Sequence, residues 1–392
     1  MRGFISVTAH PDGCAANVRA QVEVAKASVG AGGLGDNVLV IGSSTGYGLA
    51  STLSACFGYG AATLGVCFER PSSEDKLGTA GWYNLAEAHR LAAAEGRHLE
   101  TINGDAFSHE VKQQVIDALR ARFGKLDVVV YSLASPRRQD PDSETVWNSV
   151  LKPVDATYTG KTIDLRSGAV TEATIERCTA EELAATVKVM GGEDWVLWID
   201  RLQEAGLLAD GVRTVAYSYM GPEISYAIYR AGTIGRAKEH LEATVPELSA
   251  RLAPLGGRAM VSVNQAVVTQ ASAAIPAVPL YTSILLKLMK QRGTDEGPIE
   301  QIARLFADHI GPNATPTFDD RGLIRLDDLE MDAEVQSEVT SIWERIDNDN
   351  LGELSDYASY RRHFEQLFGF GVDGVDYDAP TETNRELVPA PG

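Results

Sequence analysis

Short apolar runs alternate along the chain with longer segments whose apolar residues recur every three to four positions. The runs predict strands at Asn37–Gly42, Ala62–Glu69, Leu99–Asn103, Leu126–Ala134, Val212–Tyr219 and Arg258–Val268. The periodic segments between them predict helices, most clearly Tyr47–Phe57, Phe107–Phe123 and Thr233–Leu255. Asp127-Val128-Val129-Val130-Tyr131 has almost no polar alternation, so its strand expects cover on both faces. This order of elements predicts an α/β fold: a doubly wound parallel sheet, helices on both sides, in a single large Rossmann-like domain over residues 1–392.

Two regions break the alternation. Residues 135–180 are rich in Pro, Thr and Ser, and Thr157–Thr179 reads as a polar hairpin around Arg166-Ser167-Gly168. This predicts an insertion on a sheet edge. The part from Pro279 to about residue 370 reads as mostly helical, with a gap at Gly311–Arg325. The polar, Pro-containing end, residues 381–392, is expected to fray.

Charge then narrows the function. Lys+Arg minus Asp+Glu is 35 − 54, a net −19, with no basic cluster of the kind that neutralises nucleic-acid phosphates, so nucleic acid is excluded as a partner. An anionic ligand must therefore find a helix dipole or a local cation. The four cysteines, Cys14, Cys56, Cys67 and Cys178, form no CxxC pair and have no His cluster beside them, which removes zinc spacing. They read as reduced thiols of a cytoplasmic protein. No apolar stretch reaches membrane-spanning length, and Met1-Arg2-Gly3-Phe4 opens no apolar signal segment.

The strongest single motif is Val38-Leu39-Val40-Ile41-Gly42-Ser43-Ser44-Thr45-Gly46-Tyr47-Gly48, an apolar strand, a GxxxGxG turn and the start of a helix. One glycine permits the tight turn, one lets backbone approach a pyrophosphate, and one lets the helix pack closely. The helix N-terminus supplies N–H groups and a dipole, so an acidic protein needs no lysine there. Glu69 ends the next strand 21 residues after Gly48, where a carboxylate accepts ribose hydroxyls and repels a 2′-phosphate. That favours NADH over NADPH. The spacing is that of short-chain dehydrogenase/reductase-type folds. Asn103-Gly104-Asp105-Ala106 and Ser132-Leu133-Ala134-Ser135 then fall at later strand ends, near adenine and nicotinamide ribose respectively.

Such folds use a tyrosine and a lysine, usually four residues apart on one helix face. None of the 13 tyrosines has a lysine four residues later. Tyr229 and Lys238 are nine apart, which on a continuous helix is about 900° of rotation and roughly 13 Å of rise. They can act together only if the helix breaks between them. Gly232-Thr233 supplies a break, with Thr233 a plausible N-cap.

With this pair the sequence resembles the FabV-type enoyl-acyl-carrier-protein reductases and the related trans-2-enoyl-CoA reductases. Further matching pieces run through Arg2-Gly3-Phe4, Thr8-Ala9-His10-Pro11, Phe68-Glu69-Arg70-Pro71, Gly78-Thr79-Ala80-Gly81-Trp82-Tyr83-Asn84, Tyr131-Ser132-Leu133-Ala134-Ser135-Pro136-Arg137, Met190-Gly191-Gly192-Glu193-Asp194-Trp195, Val268-Thr269-Gln270-Ala271-Ser272 and Leu367-Phe368-Gly369-Phe370. The resemblance implies NADH-dependent reduction of the C2=C3 bond of an enoyl thioester carried on acyl carrier protein or CoA, by a monomer. It implies Tyr229 as proton donor and Lys238 as the residue that holds cofactor and lowers the phenol's pKa. Gly42, Ser43, Ser44, Thr45, Gly46, Tyr47, Phe68, Glu69, Asp105, Ala106, Leu133, Ala134, Val267, Val268 and Thr269 would line NADH, and Tyr219 would contact the substrate carbonyl. A ketoacyl or other carbonyl reductase, or a non-catalytic NAD sensor on the same fold, are the rival readings. Arg137, Arg138, Arg236, Lys238, Lys287, Lys290 and Arg292 are the candidate basic contacts for an acidic carrier protein. The stripe Leu280, Tyr281, Ile284, Leu285, Leu288, Met289 reads as core packing, with covering of an acyl chain as its alternative.

Overall fold

A computed structural model describes residues 8–30 and 33–390; Arg2-Gly3-Phe4 and the last two residues lie outside it. In chain order the strands are β1 (Asn37–Ile41), β2 (Ala62–Cys67), β3 (Leu99–Asn103), β4 (Leu126–Tyr131), β5 (Arg137–Gln139), β6 (Val146–Asn148), β7 (Tyr158–Asp164), β8 (Ala169–Ile175), β9 (Leu208–Ser218), β10 (Arg258–Val263) and β11 (Ile324–Arg325). Seven of them form one parallel sheet in the order β11-β10-β9-β4-β1-β2-β3.

The period of two in the strands explains the two cores. Val38 and Val40 of β1 and Val128 and Val130 of β4 face one side, against Leu53, Phe57 and Ile302. Leu39, Ile41, Val129 and Tyr131 face the other, against Trp195, Trp198 and Ile199. Both faces are covered, as the unbroken apolar run of β4 requires. Five of the six expected strands stop early: β1 and β9 by one residue, β2 by two, β4 by three, at Tyr131 rather than Ala134, and β10 by five, at Val263 rather than Val268. The residues released from the ladder are the ones that form turns at the carboxyl edge of the sheet. The two-residue edge strand β11 pairs Ser262 with Ile324 and was too short to read from a pattern.

The inserted region departs from expectation. β5–β6 and β7–β8 are separate antiparallel hairpins that join no edge of the main sheet. They leave the chain between β4 and β9, which are neighbours in its middle. The apolar side of β7–β8, through Ile163, packs on Leu280, Tyr281 and Leu285 of the helix Val278–Arg292, so a sheet edge is not needed to bury it.

The end of the chain also differs. Within the described residues it does not fray but lies along the helix Ala80–Ala94. Trp82 Nε1 and Ser72 Oγ donate to the Arg385 carbonyl (2.7 and 2.9 Å), and Tyr83 OH donates to that of Thr383 (2.8 Å). His89 Nδ1 lies 2.9 Å from the Val388 carbonyl, which can only accept, so Nδ1 carries the proton and Nε2 accepts from Thr101 Oγ1. The Arg385 guanidinium pairs with Asp12. The strap is held by its backbone carbonyls, which is why its polar composition gave no warning of order.

Candidate active site

The sheet reverses strand order between β1 and β4, and the turns that follow these two strands meet there. Gly42 has φ +91°, and a Cβ on it would sit 2.1 Å from the Ser132 carbonyl oxygen. Gly46 has φ +51° and faces open space, its nearest neighbour being the Thr269 methyl 3.9 Å from where a Cβ would lie. The helix Gly46–Leu53 begins there without a side-chain cap, leaving its first N–H groups free for a ligand. A loop of this geometry could cradle a diphosphate, with the Thr269 methyl on its far side.

Around the cradle, side chains divide into those that face it and those that support it. The Ser43 hydroxyl is fully buried against the Val66 carbonyl (3.2 Å), and Tyr47 OH is spent on the Gln265 carbonyl (2.6 Å) and Gln301 Oε1 (2.9 Å). Only the backbone of these two residues is left for a cofactor. Ser44 Oγ and Thr79 Oγ1 donate to the two oxygens of Glu69 (2.6 and 2.5 Å), fixing the carboxylate beside the cradle. Asn103 fixes the Glu69 backbone from both sides (2.8 and 2.9 Å). Phe68 is 79% exposed, an apolar ring with a free face beside that carboxylate, suited to stack on an adenine. Leu133 and Ala134 follow β4, and Asp105 and Ala106 follow β3, at the same edge.

The turn carrying Asp105 and Ala106 rests on a buried ion pair. Lys112 Nζ donates to the carbonyls of Ala106 (3.0 Å) and Phe107 (2.8 Å) and to Asp194 Oδ1 (2.8 Å), and Tyr131 OH donates to Asp194 Oδ2 (3.2 Å). Burial depresses the Lys112 pKa and raises that of Asp194. This gives the Gly-Gly-Glu-Asp-Trp run a physical role. Lys112→Met should destabilise the fold by about 3–5 kcal/mol, because the Asp194 charge is then left buried and unpaired. A denaturant midpoint within error of the parent would refute that.

The break between Tyr229 and Lys238 is present. Residues 226–231 form turns, and the helix Thr233–Ala243 starts only after Gly232. The N-cap is Gly232 and not Thr233; the Thr233 hydroxyl instead donates to the Val150 carbonyl (2.5 Å) and ties the inserted region to this corner. A Cβ on Gly235 would lie 1.9 Å from the Arg230 carbonyl oxygen, so glycine there lets the turns fold back on the new helix. As a result both side chains reach the end of β9. Lys238 Nζ donates to the Tyr217 carbonyl (2.9 Å). The Tyr229 ring packs edge-on against Tyr219, centroids 5.1 Å apart, beside Ile275 and Val278.

Tyr229 is buried, and desolvation pushes its phenol pKa up, with the Arg230 charge opposing, where a lowered phenol pKa was expected. Desolvation lowers the Lys238 pKa to about 8, against the attraction of Glu242. The Tyr219 hydroxyl donates to Glu330 Oε1 (3.0 Å). Glu330 and Tyr281, whose hydroxyl donates to the same oxygen (2.7 Å), were not singled out as site residues; a lone Glu after a loop and a Tyr in an apolar helix stripe carry no spacing signal.

Of the candidate basic contacts, Arg138 is buried on Glu193, Arg236 pairs with Glu239, Lys290 with Asp356, and Arg292 with Asp332, Glu334 and Glu338, while Lys287 Nζ donates to the Glu353 carbonyl and Arg137 is exposed. Among the described residues no helix is long and apolar enough to cross a membrane, and no group of three His, Cys, Asp or Glu is arranged to hold a metal.

Comparison with known families follows the same division. Residues 1–74 match the NAD(P)H binding domain of trans-2-enoyl-CoA reductase, and residues 76–310 the trans-2-enoyl-CoA reductase catalytic region. Residues 318–381 match a family described as an enoyl reductase FAD binding domain. Those residues do not fit a flavin dinucleotide. They carry 17 Asp and Glu against five Arg, of which Arg321, Arg325, Arg361 and Arg362 already pair with carboxylates. Their apolar side chains, Val335, Val339 and Ile342, are packed on the helix Val278–Arg292. The chain is 53% identical over 388 residues to an enoyl-[acyl-carrier-protein] reductase [NADH] of Opitutus terrae, covering 99% of this chain and 98% of that one. It is 51% identical over 381 residues to a trans-2-enoyl-CoA reductase [NADH] of Ruminiclostridium cellulolyticum, covering 97% and 96%. The crystal structure of Treponema denticola trans-2-enoyl-CoA reductase in complex with NAD superposes with a TM-score of 0.94 at 48% identity, over 98% and 97% of the two chains. Cradle, broken helix and relatives agree: the chain belongs to the family of NADH-dependent enoyl-acyl-carrier-protein and trans-2-enoyl-CoA reductases.

Proposed function

We propose that the protein reduces the C2=C3 double bond of trans-2-enoyl thioesters with NADH, with Tyr229 and Lys238 as its catalytic pair. The observation that carries this reading is the convergence of both side chains on the Tyr217–Tyr219 strand end, beside the cradle, across an interrupted helix. When bound, NADH supplies a hydride to C3 of the substrate. Negative charge then collects on the thioester oxygen. Tyr229 donates a hydrogen bond to that oxygen, and the bond strengthens as the charge develops. A proton added at C2 completes the saturated thioester. Lys238 holds the nicotinamide ribose, and Glu69, clamped by Ser44 and Thr79, accepts the adenosine ribose hydroxyls and disfavours a 2′-phosphate. Gly42, Gly46 and the backbone of Ser43, Thr45 and Tyr47 take the diphosphate, with Phe68, Asp105, Ala106, Leu133, Ala134, Val267, Val268 and Thr269 as walls. Tyr219 orients the Tyr229 ring rather than donating to substrate.

All of these residues come from one chain, which supports a monomer, and the four free cysteines, three of them buried, support a cytoplasmic setting. The test is NADH oxidation with crotonyl-CoA, an enoyl-acyl carrier protein of equal chain length and acetoacetyl-CoA. Turnover of either enoyl thioester, with acetoacetyl-CoA inert, is the expected result. Preferential turnover of acetoacetyl-CoA would make the protein a carbonyl reductase, and NADH binding without turnover would make it a sensor.

A further inference from the structure

Glu330 is fully buried, and no cation pairs with it. Both oxygens of its carboxylate nonetheless accept hydrogen bonds. Oε1 accepts from Tyr219 OH at 3.0 Å and Tyr281 OH at 2.7 Å, and Oε2 accepts from the Ala266 backbone N–H at 2.6 Å. These three donors come from three different parts of the site. Tyr219 directly follows β9 and carries the ring against which Tyr229 packs. Ala266 lies three residues before Thr269, whose methyl faces Gly46 of the cradle. Tyr281 belongs to the helix Val278–Arg292, whose first turn, through Val278, packs on Tyr229. Gln336 locks the arrangement from behind, its Nε2 donating to Tyr281 OH (3.0 Å) and to the Glu330 carbonyl (2.7 Å).

We propose that Glu330 is a positioning residue for the reduction: a single buried carboxylate that fixes the Tyr219 ring behind Tyr229 and, through Ala266, the start of the cofactor-facing segment, so that the two are set relative to each other. This rests on the assignment of Tyr229 and of residues 267–269 under Proposed function. A buried anion is expensive to keep without a cation, and an amide or apolar residue would pack as well for stability alone. What the charge adds is strength and direction to three hydrogen bonds at once. Burial and the neighbouring Asp327 raise the Glu330 pKa to about 7, against the three donors; Tyr219, Tyr281 and Tyr47 are the other titratable groups that face it, and Asp327 itself is paired with Arg325. Protonation would remove the charge that strengthens these three bonds, so the positioning weakens as pH falls through about 7.

The test compares Glu330→Gln, Tyr219→Phe and the double variant in the full-length enzyme. Glu330→Gln keeps the shape and should lower kcat about tenfold, the scale of one hydrogen bond to a charged group. The acidic limb of the parent's kcat profile near pH 7 should be lost in Glu330→Gln and reduced in Tyr219→Phe, which leaves Glu330 itself in place. The double variant should be less than multiplicatively impaired, because both changes cut the same link. If Glu330→Gln does not fold, the Tyr219→Phe profile decides alone. Parent-like kcat and pH profile in the folded Glu330→Gln enzyme, an unchanged acidic limb in Tyr219→Phe, or multiplicative losses in the double variant would each overturn the proposal. Failure of the Tyr229 assignment is seen separately, as undiminished turnover in Tyr229→Phe.

Discussion

Tyr229→Phe should lower kcat by at least ~10²-fold, the scale of a lost general acid or oxyanion donor, and should leave both the fold and NADH affinity intact. The structure makes this a clean experiment. The Tyr229 ring is enclosed by Tyr219, Ile234, Ile275 and Val278, contacts that Phe reproduces atom for atom. Only the oxygen is removed. Because desolvation holds the phenol pKa above its ordinary value, the group is neutral and proton-bearing across the working pH range. It therefore acts as a donor whose contribution is not switched by pH. Steady-state kinetics with an enoyl-CoA, NADH titration by fluorescence and a melting curve separate the three quantities. Full turnover in Tyr229→Phe would remove Tyr229 from the reaction, and an equal loss in melting temperature would mean that the hydroxyl serves the fold.

How far the sequence alone leads depends on whether a function is carried by spacing or by tertiary contact. The phosphate cradle was legible because its chemistry needs glycines at fixed offsets between an apolar strand and a helix, and backbone rules of that kind are local. The Tyr229–Lys238 pair was reached through the family resemblance; spacing alone said only that the two could act together if the helix broke at Gly232-Thr233. The helix break is where it was read, although the cap is glycine, since Thr233 is drawn to the Val150 carbonyl instead. Three things were out of reach. The upward shift of the Tyr229 phenol depends on burial, which only packing sets. The docking of the tail depends on carbonyls of Thr383, Arg385 and Val388 meeting side chains some 300 positions earlier. Glu330 gathers Tyr219, Ala266 and Tyr281 across the sheet edge, and none of these lies within 40 positions of it. Nor could spacing show that the Ser43 and Tyr47 hydroxyls are taken up by partners within the protein.

Lys238→Met should weaken NADH binding and lower kcat/KM by roughly 10²-fold, comparable to losing a preorganised donor, and its second signature is in pH. Burial brings the lysine down to about 8, so the ammonium that the ribose needs is lost as pH rises through that value. The parent's kcat/KM should therefore fall on an alkaline limb near pH 8, and this limb should be missing in Lys238→Met. Stability moves the opposite way. The unfolded chain keeps its lysine proton to about pH 10.4 while the folded chain releases it near 8, so the unfolded state binds more protons in that window and the fold gains stability as pH rises through it. Below pH 8 the half-buried ammonium is a burden on the fold, only partly relieved by Glu242 and the Tyr217 carbonyl. Removing it should narrow or reverse any stability deficit of Lys238→Met at pH 7, and the parent should regain ground between pH 8 and 10. Melting temperatures of the two proteins across pH 6.5–10 measure this difference. A charge kept at a cost to folding and needed for turnover is what distinguishes a lysine retained for catalysis from one retained for packing. If the two melting curves ran parallel with pH while activity fell, the cofactor-holding role would stand without that cost; if activity and its alkaline limb were both unchanged, Lys238 would have no part in the reaction.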